Sequence, residues 1–198
     1  MVEIDKHKIY ESRGYRFKNF ILLSDEEKRM VLKWRNDDRV RQWMYSAKQA
    51  TEDEHFNYIK TLEDRDDRWY WLVYRGAIPI GVLVLSLDDR EKEIFEHGVY
   101  MNPELNGEGF GLFKEIAYVL FFVFGIKNIC GSVQSDNKSA LYLNSFLGVK
   151  FIGKKIIPQD GRDVEYLLCH YTKEDFAPHK DATLREYARY VSKMVKKP

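Results

Sequence analysis

The sequence predicts an α/β (α+β) chain whose elements follow the order β-α-α-β-β-β-α-β-α-β-β. Three observations carry this. Capping boxes of Ser24 with Glu27 and of Thr51 with Glu54 start helices in the first third. Past Asp64 the apolar period changes from helical to β, in aromatic and β-branched runs. A glycine-rich turn, Leu105 to Gly111, then separates one such strand from a strongly apolar helical run.

Arg13 to Leu23 holds the first strand. The helix behind Ser24 takes its apolar side from Met30, Val31, Leu32 and Trp34 and stops at Asn36-Asp37-Asp38. A short segment, Arg39 to Tyr45, follows. The helix behind Thr51 places His55, Ile59 and Leu62 on one face with Phe56 beside it. Trp69 to Tyr74 and Ile80 to Leu87 form a hairpin at Arg75-Gly76-Ala77. In the next strand, Glu93 to Met101, Ile94, Glu96, Gly98 and Tyr100 share one face, and Phe95, His97, Val99 and Met101 share the other. The apolar helix runs from Gly109 to about Phe124, and Ile126 to Gln134 is a strand. Asp136 or Asn137 caps a short helix ending at Gly148. Lys150 to Ile157 and Val164 to Tyr171 are the last strands, around Pro158-Gln159-Asp160-Gly161. Asp181 to Lys197 reads as a basic amphipathic helix with Leu184, Tyr187, Ala188, Val191 and Val195, either a packing arm or a dimer contact. We expect one domain over 1–175 and a helical tail over 176–198.

With 198 residues the chain can bury a sizeable core, and 32 basic against 31 acidic residues argue against a nucleic-acid or membrane-surface partner. The longest apolar run, Ile116 to Gly125, is about half a membrane span, and the stretch MVEIDKHKIY lacks the apolar core of a signal peptide. Cys130 and Cys169 have no CxxC spacing, so they are expected to be reduced thiols of a cytoplasmic protein. The histidines do not pair at ligand spacing, so no metal is expected.

The glycine turn carries the chemistry. Asn106, Gly107, Glu108, Gly109, Phe110, Gly111 and Leu112 expose backbone N–H groups at a helix start, where free donors and the positive dipole end can hold a phosphate. The Gly-Lys-Ser/Thr ending of a Walker A loop is missing, and the position three after Gly109 is Leu112 where a dinucleotide fingerprint needs glycine. A plain structural turn is the alternative.

The pattern Asn106-x-x-Gly109-x-Gly111 resembles the pyrophosphate loop of the GCN5-related N-acetyltransferases, Gln/Arg-x-x-Gly-x-Gly/Ala. Element order extends the likeness over Phe17 to Lys173. The resemblance implies a mixed, mostly antiparallel central sheet flanked by helices, with two central strands splayed to hold acetyl-CoA. It implies that the backbone at Val99 and Met101 pairs with pantetheine and that Glu96 is the general base for amine attack on the thioester. Gly98 would let substrate approach the strand. A solvent-facing carboxylate is the alternative for Glu96. The segment from Asn137 through Ala140 to Gly148 and Phe151 is similar to the family's Asn-x-x-Ala/Ser-x-x-x-Tyr-x-x-x-Gly-Phe, which implies coenzyme contacts for Asn137 and Ala140. A pure cap is the alternative for Asn137.

One position departs from the family. Where the family tyrosine protonates the leaving thiolate, this chain has Asn144. Asn144 can hydrogen-bond sulfur but is no proton donor near neutrality. Tyr142 is turned away by about 200°. Water or Tyr100 is left for the role, with a core aromatic as the alternative for Tyr100. Cys130 shows no evident histidine partner in the sequence, so direct transfer is expected rather than an acyl-enzyme.

The first third resembles the aminosugar N-acetyltransferases of the pseudaminic acid pathway: Trp34-Arg35-Asn36, then Trp43-Met44-Tyr45, then His55-Phe56 with Tyr58-Ile59, and the strand Gly98-Val99-Tyr100-Met101-Asn102-Pro103. This implies a small-molecule partner, a UDP-linked 4-amino-4,6-dideoxy sugar. Met44 and Tyr45 would then lie near the nucleotide, and Arg35 and His55 would help build the acceptor side. A basic patch at Arg35, Arg39 and Arg41 would suit its phosphates. The Arg35-Asn36 pair also occurs in acetyltransferases of ribosomal-protein N-termini. An enzyme for a protein N-terminus, polyamine or antibiotic amine, and a coenzyme-binding protein without turnover, are the competing expectations.

Overall fold

The computed structural model describes residues 2–46, 48–159 and 161–195. Asp160 of the last expected turn and Lys196 and Lys197 of the tail lie outside the described residues. The chain divides into two compact units, Met1–Glu108 and Gly109–Pro198.

In the first unit five strands run in the order β1 (Tyr10–Ser12), β2 (Tyr15–Asn19), β3 (Arg68–Arg75), β4 (Ile78–Asp89), β5 (Ile94–Met101), each antiparallel to the next. β1 is absent from the sequence reading. It turns back at Arg13 and Gly14, both with positive φ, and arginine gives no warning of such a turn. Three helices follow β2: α1 (Asp25–Asn36), the four-residue α2 (Asp38–Arg41) and α3 (Glu52–Thr61). Both expected capping boxes form. Ser24 Oγ accepts from the Glu27 N–H at 3.3 Å while Glu27 Oε2 accepts from the Ser24 N–H at 2.7 Å. Thr51 and Glu54 repeat the arrangement.

α1 and α3 lay Val31, Trp34 and Ile59, with Leu62 just beyond, onto Leu72, Tyr74 and Val82 of the sheet. Burying these side chains is the main stabilising term, at about 1.5–3 kcal/mol for each large aliphatic or aromatic one. A bulge between Val73 and Tyr74 shifts the β3–β4 register by one residue. Tyr70 therefore faces Val84 and Arg68 faces Ser86.

In the second unit α4 (Gly109–Tyr118) precedes β6 (Asn128–Gln134), α5 (Lys138–Phe146), β7 (Lys150–Gln159), β8 (Arg162–Thr172), the short α6 (Lys173–Phe176) and α7 (Leu184–Val195). β8 lies between β6 and β7, antiparallel to both. α4 ends six residues before the expected Phe124. Val119–Val123 forms a wider π turn, closed by the Phe124 N–H on Val119 O at 2.8 Å. The run Val119-Leu120-Phe121 is wholly buried, and the wider turn brings three consecutive side chains closer to one face than a regular α-helix does. Asn137, not Asp136, caps α5. In α7 the half-buried stripe is Tyr187, Tyr190, Val191 and Met194, while the expected Leu184 and Val195 are exposed.

Gly148, which the sequence aligned with a family motif, is held by packing. It follows α5 with φ +94°, and a Cβ there would lie 2.4 Å from Asp175 O. Gly148→Ala should cost at least about 2 kcal/mol in urea unfolding.

Candidate functional site

The part of the site in the first unit lies on the β3–β5 face under α1 and α3. Three cross-strand rows run along it: Leu72–Val82–Tyr100, Tyr70–Val84–Gly98 and Arg68–Ser86–Glu96. Exposure is greatest at Gly98, in the middle row. Leu72 and Val82 are fully buried, Tyr70 and Val84 half-buried, and Gly98 is exposed. Glu96, half-buried, accepts a hydrogen bond from the Tyr45 hydroxyl at 3.2 Å. A Cβ on Gly98 would meet only Val84 Cβ, at 3.8 Å, so packing within the fold does not demand glycine there.

The loop that brings Tyr45 to Glu96 is clamped by the Arg35-Asn36 pair. Asn36 exchanges two hydrogen bonds with the backbone of Ala50, donating to O at 2.8 Å and accepting from N–H at 3.0 Å. Arg35 donates to Lys48 O at 3.0 Å. Arg35 thus helps hold the loop. The expected basic patch is largely neutralised: Arg39 pairs with Asp37 at 2.7 Å and Glu104 at 2.8 Å, and Arg41 pairs with Asp38. Met44 is half-buried and Tyr45 exposed.

His55 departs from the expectation of an acceptor-side residue. It is 7% exposed, edge-on to Phe20 at 6.4 Å and to Phe56 at 6.3 Å, with Nε2 buried and unpaired. Burial lowers its pKa, against a smaller opposing effect from the Lys28 backbone. His55 is a neutral core residue because its helix face, with Ile59 and Leu62, is the one that packs. Tyr100 packs its ring against the same core cluster. Burial drives its hydroxyl pKa well above the ordinary phenol value, with nearby Tyr70 adding to the shift. Sequence reasoning missed Tyr70, whose hydroxyl meets that of Tyr58 at 3.0 Å. The bulge hid its place: a regular hairpin would have set Tyr70 opposite Leu83, not Val84.

At the end of this unit the strand leads to Asn106 and Gly107, both exposed, Gly107 with φ +82°. Arg75 neutralises the Glu108 carboxylate at 2.8 Å. Val99 and Met101 are half-buried on β5. In the second unit Gly109, Phe110, Gly111 and Leu112 form the first turn of α4, where N–H groups have no intrahelical acceptor. Phe110 and Leu112 are buried. Asn137 Oδ1 accepts from the Ala140 N–H at 3.1 Å, and Asn144 is 8% exposed two turns along the same helix face. Cys130 corrects one reading: His170 stands directly across from it on β8. Among the described residues no helix is long and apolar enough to cross a membrane, and no three metal-ligating side chains cluster.

No protein-family model matches the chain. Acetyltransferase PseH of Campylobacter jejuni subsp. jejuni is 30% identical over 128 residues, 65% of this chain and 80% of that protein. The crystal structure of Campylobacter jejuni N-acetyltransferase PseH with acetyl coenzyme A superposes with a TM-score of 0.62, at 23% identity, over 80% of this chain and 99% of that one. Spermidine N-acetyltransferase from Vibrio cholerae, with CoA and spermine, shares the fold at a TM-score of 0.74 and 14% identity, over 84% of this chain and 99% of that one.

Burial also makes the β5 strand acid-sensitive. His97, with Nδ1 buried, has its pKa pushed down to about 4 from 6.5. The unfolded chain takes up this proton first, so stability is full above pH 6.5 and falls as pH drops towards 4. In urea titrations between pH 7 and 5, His97→Leu should flatten the decline.

Proposed function

This chain belongs to the GCN5-related N-acetyltransferases and is an N-acetyltransferase, and we propose that its acceptor is the 4-amino group of a UDP-linked 4-amino-4,6-dideoxy sugar. The acyl donor in this reading is acetyl-CoA. The observation that carries the proposal is the end of the β3–β5 face, where exposed Gly98 lies beside Glu96 and Tyr45 holds the carboxylate. The donors present suit a pyrophosphate. Gly107 turns with positive φ and no atom within 4 Å of an added Cβ, α4 begins with free N–H groups, and the one carboxylate of the turn is neutralised by Arg75. Asn137 and Ala140 would flank the coenzyme arm, and the Val99 and Met101 backbone would pair with pantetheine.

Glu96 takes a proton from the acceptor ammonium, directly or through water. The freed amine nitrogen attacks the thioester carbonyl and a C–N bond forms; the nitrogen then gives its second proton to water, the C–S bond breaks, and the thiolate leaves and is protonated. Tyr100 is a poor acid for that last step. Its pKa lies far above that of a thiol, about 8.5, so proton transfer to the thiolate runs uphill. Water supplies the proton in this reading, and Asn144 can donate a hydrogen bond to sulfur. The exposed Tyr45 ring offers a stacking surface for uracil beside Met44, and Arg35 holds the loop that presents it.

Thiol release from acetyl-CoA should occur with UDP-4-amino-4,6-dideoxy sugars and not with a polyamine, an N-terminal peptide or an aminoglycoside. Turnover confined to another amine would discard the sugar, and silence across the panel would discard the reading. In the same assay Glu96→Gln should lower kcat by about 100-fold or more with acetyl-CoA affinity kept. Tyr100→Phe should cost less than about tenfold, the loss expected of a wall residue rather than an acid. Because a thiol facing an imidazole is the pairing covalent catalysis uses, Cys130→Ala is the control, and direct transfer requires its rate to stay unchanged.

A further inference from the structure

The first turn of α4 has little to hold it. Gly109 and Gly111 carry no side chains, so the turn is anchored to its own unit through Phe110 and Leu112. Phe110 is covered by the C-terminal helix. Tyr187 of α7 stacks on its ring at 5.2 Å between centroids and 12° between planes. Phe146 of α5 completes the group, 6.0 Å from Phe110, 5.3 Å from Tyr187 and 5.4 Å from Tyr190. A second tie joins the same elements: Lys114 of α4 donates to Ala182 O at 2.8 Å, one residue before the Thr183–Glu186 box that starts α7. The Lys114 ammonium also lies 5.4 Å from the Phe110 ring centre. The tail is thus seated on the one aromatic side chain between the two glycines.

We propose that α7 is a clasp for the acyl donor's phosphate site, with Tyr187 as a positioning residue that acts through Phe110. The inference rests on the reading that the Gly109–Leu112 amides take the pyrophosphate. Backbone amides bind an anion well only when already held in the bound geometry, because a loose glycine turn must lose its freedom on binding. Stacking on Phe110 removes that freedom in advance.

The test compares acetyl-CoA with acetyl-pantetheine, which has the same thioester and no pyrophosphate. Tyr187→Ala should raise KM for acetyl-CoA several-fold, up to about tenfold, the worth of one aromatic pair. Its kcat, and its kcat/KM for acetyl-pantetheine, should be unchanged. Tyr187→Phe, which keeps the ring, should behave as the native chain. Tyr190→Ala loses a contact with Phe146 but none with Phe110, and should leave both donors alone. An unchanged KM for acetyl-CoA in Tyr187→Ala, or equal losses on both donors, would overturn the clasp. If Tyr187→Ala does not fold, Phe110→Leu keeps an apolar anchor without the stack, and the same donor-specific rise is required of it. Gly109→Val separates this idea from its parent. Normal acetyl-CoA affinity in that variant removes the loop as a phosphate site, whereas weakened affinity beside an unaffected Tyr187→Ala removes only the clasp.

Discussion

A sheet face must be covered, and the first unit covers its face unevenly. α1 and α3 bring Val31, Trp34 and Ile59 onto the Leu72–Val82 row, and their reach ends at the Tyr70–Val84 row. Gly98 and Glu96 lie past that edge. The same burial that stabilises the fold packs the Tyr100 ring against the core and leaves Gly98 exposed beside the half-buried Glu96. It also assigns protonation. Desolvation holds the Tyr100 phenol protonated and keeps His55 and His97 neutral.

The loop carrying Tyr45 depends on that packing indirectly. Asn36 ends α1, and its amide pairs with Ala50 as a strand rung would. Seating Trp34 in the core therefore places Asn36, and Asn36 places the loop whose tyrosine reaches Glu96. The Arg35-Asn36 pair thus ties the end of α1 to the loop through the backbone of Lys48 and Ala50. The ion pairs of Arg39 with Asp37 and Glu104 add little stability, being largely exposed, but they join α2 to the segment beyond β5.

The glycine turn obeys a different balance. Glycines let the backbone approach an anion but leave it poorly ordered. In the second unit Phe110, between the two glycines, packs with Tyr187 and Phe146 and so ties the start of α4 to α7.

Local chemistry was legible in the residues. Ser24 with Glu27 and Thr51 with Glu54 announced their helices, and the third cap was narrowed to Asp136 or Asn137, because caps are made within three residues. The Arg75-Gly76-Ala77 turn and the glycine turn were equally plain. Side-chain alternation alone put Glu96, Gly98 and Tyr100 on one face. Tertiary structure decided the rest. A bulge at Val73–Tyr74 set which residues oppose Gly98 and Glu96, and no local signal marks a one-residue slip. Packing sent His55 into the core, neutralised Arg39 and Arg41, and put Cys130 opposite His170, because each outcome depends on residues distant in the chain. Periodicity identifies the face of an element; only the partner that covers that face decides whether a side chain there meets water, a ligand or the core.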